Sequence, residues 1–478
     1  MMSDIKHKLN HNKVVTILVQ PFQDDDPLPP KMDKGSTGNK KPIAHKKSLF
    51  FQEMYGFCKE ISIGGMKYLA NPSYGILRRL FWSLIVILAA CVLCLQIYMS
   101  VATYGAYPSN TNQQIEYVNV LTFPAVTICN FNPFRKSIVD EMSPFVTQLI
   151  ENMFPVYGVD YPAPNFTGLD FTDYSMTAFR LHTSHKLTDT IFRCTWKGQP
   201  CSTDNFTMIL TDLGVCYTFN SGSSGSQSQT VQAPGSRFAL QLLLDVQQWD
   251  YILGPTEVAG FKVILHDQGD TPRARDCGFA IAPGFTSVVS IKQSRIRNLP
   301  PPYGKCREKN LKYYATYSQS NCLLECESVY HVEKCGCRDY YMPGNASECN
   351  PYQFYNCSSH AIREFASGGI SACDCPVPCS RTVYSQSLSI AKVATAVAQR
   401  AADAENCSLE YVNDNYALLE LYYEDLSYQD IQQQKGYEFY QLWCDIGGSM
   451  GLLLGASLVT LVEVLDFCCL AILRKCFG

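Results

Sequence analysis

Leu80–Val101 reads LFWSLIVILAACVLCLQIYMSV, 22 residues without a charge. An α-helix rises about 1.5 Å per residue, so a run of this length crosses a hydrocarbon layer of about 30 Å. Arg78 and Arg79 stand directly before it, and the next charge after it is Glu116. Basic residues mark the cytoplasmic flank of a span, so the chain leaves the cytoplasm here. A core helix of a water-soluble domain seldom runs so far without a polar break. The run is read as a first transmembrane helix at 80–101.

A second apolar run begins at Phe439. Asp445 interrupts it and four glycines dilute it, but Ile446–Val462 is 17 residues without a charge. Glu463 and Asp466 follow, then Arg474 and Lys475. The basic end is C-terminal, which predicts passage from outside to inside. Both termini are therefore expected in the cytoplasm. The expected divisions are a cytoplasmic region at 1–79, an outer region at 102–438, a second span at 439–473 and a tail at 474–478. Residues 1–48, with DDDPLPP and KKPIAHKK, read as a disordered tail. That tail has no apolar core of signal-peptide length, so the first span supplies the route outward.

Charge and cysteine distribution agree with this topology. Residues 1–79 hold 13 Lys+Arg against 7 Asp+Glu, whereas residues 102–444 hold 24 against 33. All five N-glycosylation sequons, at Asn165, Asn205, Asn345, Asn356 and Asn406, lie between the runs, as do 16 of the 23 cysteines. So many thiols in 478 residues imply an oxidising compartment. An apolar content of 46% excludes a wholly disordered chain, and a net charge of -4 argues against a nucleic-acid partner.

The outer cysteines crowd between Cys306 and Cys379, with C-x3-C at Cys322 and Cys326 and C-x-C at Cys335/Cys337 and Cys373/Cys375. Paired thiols suit zinc as well; the outer location and neighbouring sequons favour disulfides. Cys322–Val332 has helical periodicity, while Phe238–Val246 and Gly260–Leu265 read as strands and Ser221–Thr230 as a flexible loop. The expected fold is a membrane protein with two transmembrane helices and a disulfide-rich α+β ectodomain, a β core with peripheral helices.

Several motifs then resemble the degenerin/epithelial sodium channel/acid-sensing ion channel superfamily. These are FPAVTIC at Phe123–Cys129, APGF at Ala282–Phe285, LPPPYGKC at Leu299–Cys306, the run from Tyr317 through Met342-Pro343-Gly344, and CDIGGSMGLLLGASLVTLVEVLDF at Cys444–Phe467. The resemblance covers roughly residues 60 to 473. It implies a trimeric, sodium-selective, amiloride-sensitive channel of the plasma membrane, lined by the second span and built from self or homologous subunits. It implies that Gly455, Ala456 and Ser457 form the selectivity filter, and that Cys444 is the gating position at which a bulky side chain holds the pore open. Residues 60–70 become a re-entrant, pre-span segment. There the family's His-Gly inner-pore motif falls on Gly64-Gly65, so the histidine is missing. Read by themselves, Asp445, Glu463 and Asp466 are expensive inside an apolar span. Repeated round a trimer they become rings that attract cations, sodium and also calcium at Asp445.

The resemblance also implies disulfides Cys129–Cys216, Cys194–Cys201, Cys306–Cys379, Cys322–Cys375, Cys326–Cys373, Cys335–Cys357 and Cys337–Cys349. Cys277 and Cys407 are left over and could form an eighth. Cys468, Cys469 and Cys476 read as lipid-facing thiols, with palmitoylation the alternative.

For gating, the carboxylates that acid-sensing members place between finger and thumb are replaced here by Leu253 and Gly254 on one side and Ser359 and Arg363 on the other. The extracellular histidine that acid sensing uses after the first span falls near Pro108-Ser109. Five outer histidines remain (His182, His185, His266, His331, His360), expected mostly at the surface. An extracellular ligand, a small peptide, therefore ranks above a constitutive sodium leak blocked by protons or calcium, and both above proton gating. The reading from another class is a non-conducting cysteine-rich adhesion or receptor protein, which would have no use for carboxylates and Gly455-Ala456-Ser457 in one span. No enzyme motif is present, no cofactor is expected beyond permeant sodium and N-glycans, and membrane lipid is the surrounding partner.

Overall fold

The computed structural model describes residues 54–477 apart from 62, 155–160, 172–173 and 223–227, with backbone only at 474–477. The tail expected at 1–48, the centre of the Ser221–Thr230 loop and the Cys476 thiol lie outside the described residues. The chain forms two compact units, residues 92–449 and residues 1–91 with 450–478.

The helices used below are α1 (Met66–Ala70), α2 (Ile76–Gly105), α3 (Pro144–Met153), α4 (Met176–Thr183), α5 (Gln319–Cys335), α6 (Ser359–Ser367), α7 (Phe439–Leu454) and α8 (Leu458–Phe477). The strands are β1 (Ser109–Tyr117), β2 (Ala125–Asn130), β3 (Ile191–Trp196), β4 (Gln199–Pro200), β5 (Phe206–Thr211), β6 (Gly214–Phe219), β7 (Leu240–Asp245), β8 (Phe261–His266), β9 (Phe279–Ile281), β10 (Phe285–Arg297), β11 (Ser380–Lys392) and β12 (Tyr416–Lys435).

Two sheets carry the larger unit. One runs β11-β10-β12-β7-β3-β4, with β1 added along the far half of β12; the other runs β9-β8-β2-β6-β5. Side chains alternate across a strand, and the pattern is visible in β12, where Leu419, Leu421 and Tyr423 point inward. Central β2 is buried along AVTIC, so its sequence reads apolar without alternation. Phe123 enters between the sheets, its ring 4.6 Å from Trp196, 6.0 Å from Tyr423 and 6.4 Å from Phe219. The Tyr423 hydroxyl finds a partner inside this core, donating to the Thr122 carbonyl at 2.8 Å.

The cysteine spacings acquire a geometric reason on α5. Cys322 and Cys326 lie one turn apart on one helix face, separated by about 6 Å of rise. Cys373 and Cys375 are the ends of a tight turn, the Cys375 N–H donating to the Cys373 carbonyl at 3.0 Å, which keeps them about one helical turn apart. The two spacings match, so the segment runs antiparallel to the helix as a ladder, Cys322–Cys375 and Cys326–Cys373, with Cα separations of 5.7 and 6.0 Å. Cys129–Cys216, Cys194–Cys201, Cys306–Cys379, Cys335–Cys357 and Cys337–Cys349 are also joined. The eighth bond is corrected: Cys277 and Cys407 are both free. Cys407 packs against Ala398, Ala402, Val412 and Tyr416, whereas Cys277 lies exposed just before β9.

All five sequon asparagines are exposed. The histidine expectation fails at three of the five positions: His266 is half-buried against the Thr127 hydroxyl (2.7 Å), and His331 and His185 are buried and bonded. His331 spans the Cys337 carbonyl (2.9 Å) and the Ser358 hydroxyl (2.8 Å), and His185 meets Gln247.

In the smaller unit, Gly64-Gly65 turns the chain into α1. Tyr68 of α1 stacks on Trp82 at 4.5 Å, and the Arg78 guanidinium lies 4.3 Å from the Tyr74 ring. Phe57 stacks on Phe467 at 4.2 Å. Gly65 has φ 86, and a Cβ there would stand 3.0 Å from Val86 Cγ2, so only glycine fits the turn. The first apolar helix, α2, extends about a turn beyond the expected 80–101 at each end. Along it Leu80, Phe81, Leu84, Ile87 and Leu88 are exposed. An apolar stripe of that length requires lipid or another chain to cover it.

Candidate functional site

The second apolar segment is not one helix. α7 and α8 meet at an 80° bend, and only together do they satisfy the length and polarity of a span. Three residues make the bend. Gly455 adopts φ 64, the left-handed conformation that ends helices, and its N–H donates to the Gly451 carbonyl at 3.0 Å. Ser457 starts the next helix: its hydroxyl accepts from the Thr460 N–H (3.4 Å), while the Thr460 hydroxyl accepts from the Ser457 N–H (3.1 Å). Ala456, 7% exposed, fills the joint between the two caps. Gly-Ala-Ser is thus a C-cap and an N-cap placed back to back. The carbonyls of Gly455 and Ala456 accept no backbone hydrogen bond among the described residues. Carbonyls free in this way can replace water around a cation.

The inner support comes from Gly64, whose N–H donates to the Leu454 carbonyl at 2.7 Å. A Cβ on Gly64 would stand 3.2 Å from that oxygen, so a glycine here lets the backbone approach. The carboxylates fall on different elements. Asp445 is exposed on α7 and accepts from the Tyr437 hydroxyl. Glu463 lies on α8 with Oε2 buried and unpartnered, and Asp466 is exposed one turn further on. An unpaired carboxylate oxygen in an apolar segment calls for an ion or water. Cys444 is exposed beside Asp445.

A second group of titratable residues lines a cavity of about 480 Å³ in the larger unit. Ser359 and Arg363 are there, but so are Asp212, Asp276, Glu327 and Asp339, which sequence reasoning missed. They come from the β5–β6 turn, the 271–276 loop, α5 and the segment after α5, so no local spacing announces them. Burial raises the carboxyls of Asp212 and Asp339 above their ordinary range, against nearby hydrogen bonds or arginines that pull the other way. Burial holds Glu327 at about 7 against an ordinary 4.5, although the Tyr341 hydroxyl donates to it at 3.0 Å.

A carboxyl raised on folding binds its proton more tightly in the native state. Its contribution to stability is full below about 4.5 and lost as pH rises through about 7. Glu327→Gln is expected to remove that loss, making the full chain about 1–3 kcal/mol more stable at pH 8 relative to pH 5 than the parent is. Thermal melts of both proteins in detergent at the two pH values check this, and identical pH slopes would contradict it.

A disulfide-stapled ectodomain, an apolar helix and a second apolar segment broken where two backbone carbonyls are left without a helical partner define a class, the membrane ion-channel subunit. Residues 57–467 match the amiloride-sensitive sodium channel family. Acid-sensing ion channel 1C of Danio rerio is 33% identical over 434 residues, 86% of this chain and 82% of its own length. Acid-sensing ion channel 2 of Rattus norvegicus is 33% identical over 435 residues, 86% and 85% of the two chains. Acid-sensing ion channel 1 of Gallus gallus is 31% identical over 460 residues, 91% and 86%. This chain belongs to the amiloride-sensitive sodium channel family.

Proposed function

We propose that this chain is one of three like subunits enclosing a sodium-selective, amiloride-sensitive pore in the plasma membrane, opened by a small extracellular peptide. The termini are cytoplasmic and residues 102–438 lie outside, carrying N-glycans. Gly455, Ala456 and Ser457 form the filter; Asp445, Glu463 and Asp466 gather cations on its two sides, with calcium competing at Asp445. The observation that carries this reading is the capped break at 455–457, which frees backbone carbonyls within an apolar segment.

A ligand is favoured over protons by Leu253, Gly254, Ser359 and Arg363, none of which is a carboxylate. One observation favours a second reading, proton gating: Glu327 sits near 7 in the ectodomain cavity. Two-electrode recording in oocytes tests all of these. An inward sodium current that amiloride blocks supports the pore, and no current from surface-expressed protein under any stimulus sinks it. A peptide panel, pH steps and calcium removal then separate the peptide, proton and leak readings. Cys444→Trp is expected to raise resting current several-fold by wedging the outer end of the pore open. A silent variant with normal surface expression would count against this gating role.

A further inference from the structure

An open cleft of about 780 Å³ in the larger unit lies between two segments far apart in sequence. Phe166, Leu169, Phe171 and Tyr174 line it from one segment, Asn350, Tyr352 and Gln353 from the other. Aromatic rings join the two: Phe166 lies 5.2 Å from Tyr352, edge to face, and 5.8 Å from Tyr355. The charged groups of the cleft are already engaged. Glu348 accepts from the Thr177 N–H (3.0 Å), the Thr177 hydroxyl (2.8 Å) and the Ser175 hydroxyl (3.2 Å), and it pairs with Arg338. Asp170 is engaged too. What stays open is neutral. Tyr352 is 52% exposed and Leu169 45%. Asn350 Oδ1 accepts from the Gln353 N–H (2.9 Å) and Gln353 Oε1 from the Asn350 N–H (3.0 Å). Neither side-chain NH2 group makes a hydrogen bond among the described residues, so both remain as donors.

Two sequons border this cleft, Asn165-Phe166-Thr167 and Asn345-Ala346-Ser347, since Phe166, Ala346 and Ser347 all line it. Asn165 has a short path to Tyr352: consecutive Cα atoms are about 3.8 Å apart, and its neighbour Phe166 meets the Tyr352 ring. Asn165 is exposed, and its Oδ1 accepts from the Thr167 N–H at 3.0 Å. That leaves Nδ2, the atom to which a glycan is joined, without a hydrogen bond among the described residues. Asn356 differs, its Nδ2 donating to the Tyr352 carbonyl at 3.1 Å.

We infer that the N-glycan of Asn165 folds across this cleft, its first sugars stacked on the Tyr352 ring and hydrogen-bonded by the side-chain amides of Asn350 and Gln353. A pyranose ring carries C–H groups on its face and hydroxyls round its edge, so an open aromatic ring beside uncharged donors suits it. Each contact of this kind is weak, but a tethered partner meets its site at an effective concentration in the millimolar range. The sugar ties residues 165–171, which hold no cysteine, to the segment between Cys349 and Cys357. The inference rests on the outer placement of residues 102–438 proposed above.

The test is timed endoglycosidase digestion of the folded full-length chain, purified in detergent from cells that add high-mannose glycans. Peptide mass spectrometry follows release at each asparagine. Release at Asn165 is expected at least about fivefold slower in the parent than in Tyr352→Ala, whose exposed ring is the stacking face. Tyr352→Phe keeps the ring and the slow rate, and the other occupied asparagines lose their glycans equally fast in all three proteins. Asn345→Gln leaves the protection of Asn165 unchanged. Equal rates at Asn165 in the parent and Tyr352→Ala overturn the inference. So does loss of protection in Asn345→Gln, which assigns the cleft to the other glycan. An unmodified Asn165 beside occupied Asn205 and Asn406 also overturns it and leaves the outer placement standing. No glycan at any of the five asparagines sinks that placement itself.

Discussion

Gly455→Val cuts the sodium current at least tenfold while the protein still reaches the cell surface; that is the expected result of a single change at the bend. Gly455 holds φ 64, and a Cβ there meets nothing closer than the Gly64 nitrogen at 3.8 Å. Space is therefore not the obstacle. The obstacle is the backbone: a left-handed residue with a side chain costs about 1–2 kcal/mol, and a β-branched one more. The segment escapes that cost by continuing α7 as a right-handed helix, which straightens the 80° bend and draws the Gly455 and Ala456 carbonyls into helical hydrogen bonds. A fall in current of at least tenfold is expected, with altered sodium over potassium preference in what survives. Gly451→Ala is the control, since its Cβ makes only an ordinary contact, 3.9 Å from the Ala456 carbonyl oxygen. Unchanged current and selectivity in Gly455→Val would remove the filter from this position.

The largest effect on folding is expected at Phe123. Its ring is fully buried between both sheets and touches the three aromatic rings that unite them. Truncating a ring in such a site costs about 3–5 kcal/mol, from lost transfer energy and the cavity left behind. That is a large share of the 5–15 kcal/mol that holds a typical domain together. Phe123→Ala is expected to stay in immature glycosylated form and to vanish from the cell surface. Val120→Ala, nearby and 48% exposed, should mature normally. Surface biotinylation with endoglycosidase digestion measures both, and a Phe123→Ala protein delivered at parental levels would contradict this account of the core.

What is legible in the sequence is what local chemistry encodes. A 22-residue charge-free run can only be a span or a very unusual core helix. Gly455, Ala456 and Ser457 stand out only through the family resemblance, because the apolar run by itself reads as one span at 439–473. The limits lie where distant segments meet. Cys277 and Cys407 are paired only by being left over, and they sit against different neighbours. Asp212, Asp276, Glu327 and Asp339 converge from four segments, so an alignment focused on Leu253, Gly254, Ser359 and Arg363 passes over them. His185 and His331 look like surface residues because nothing in their flanks shows the carbonyls and hydroxyls that receive them.

The pairing of β1 with β12 carries a mechanical consequence. Three residues separate α2 from β1 and three separate β12 from α7, and nine consecutive residue pairs, from Ser109 opposite Lys435 to Tyr117 opposite Ser427, join the two strands. The Gly436 N–H then bonds to the Pro108 carbonyl at 2.7 Å at the very end of the ladder. Sliding one strand along the other by a single residue would break every rung and turn each side chain to the opposite face. Of the ways two rods can move, translation past one another is thus blocked, and tilting together is left. The ladder therefore clamps the adjoining ends of α2 and α7 in one register, and neither can advance past the other by a residue without unzipping it.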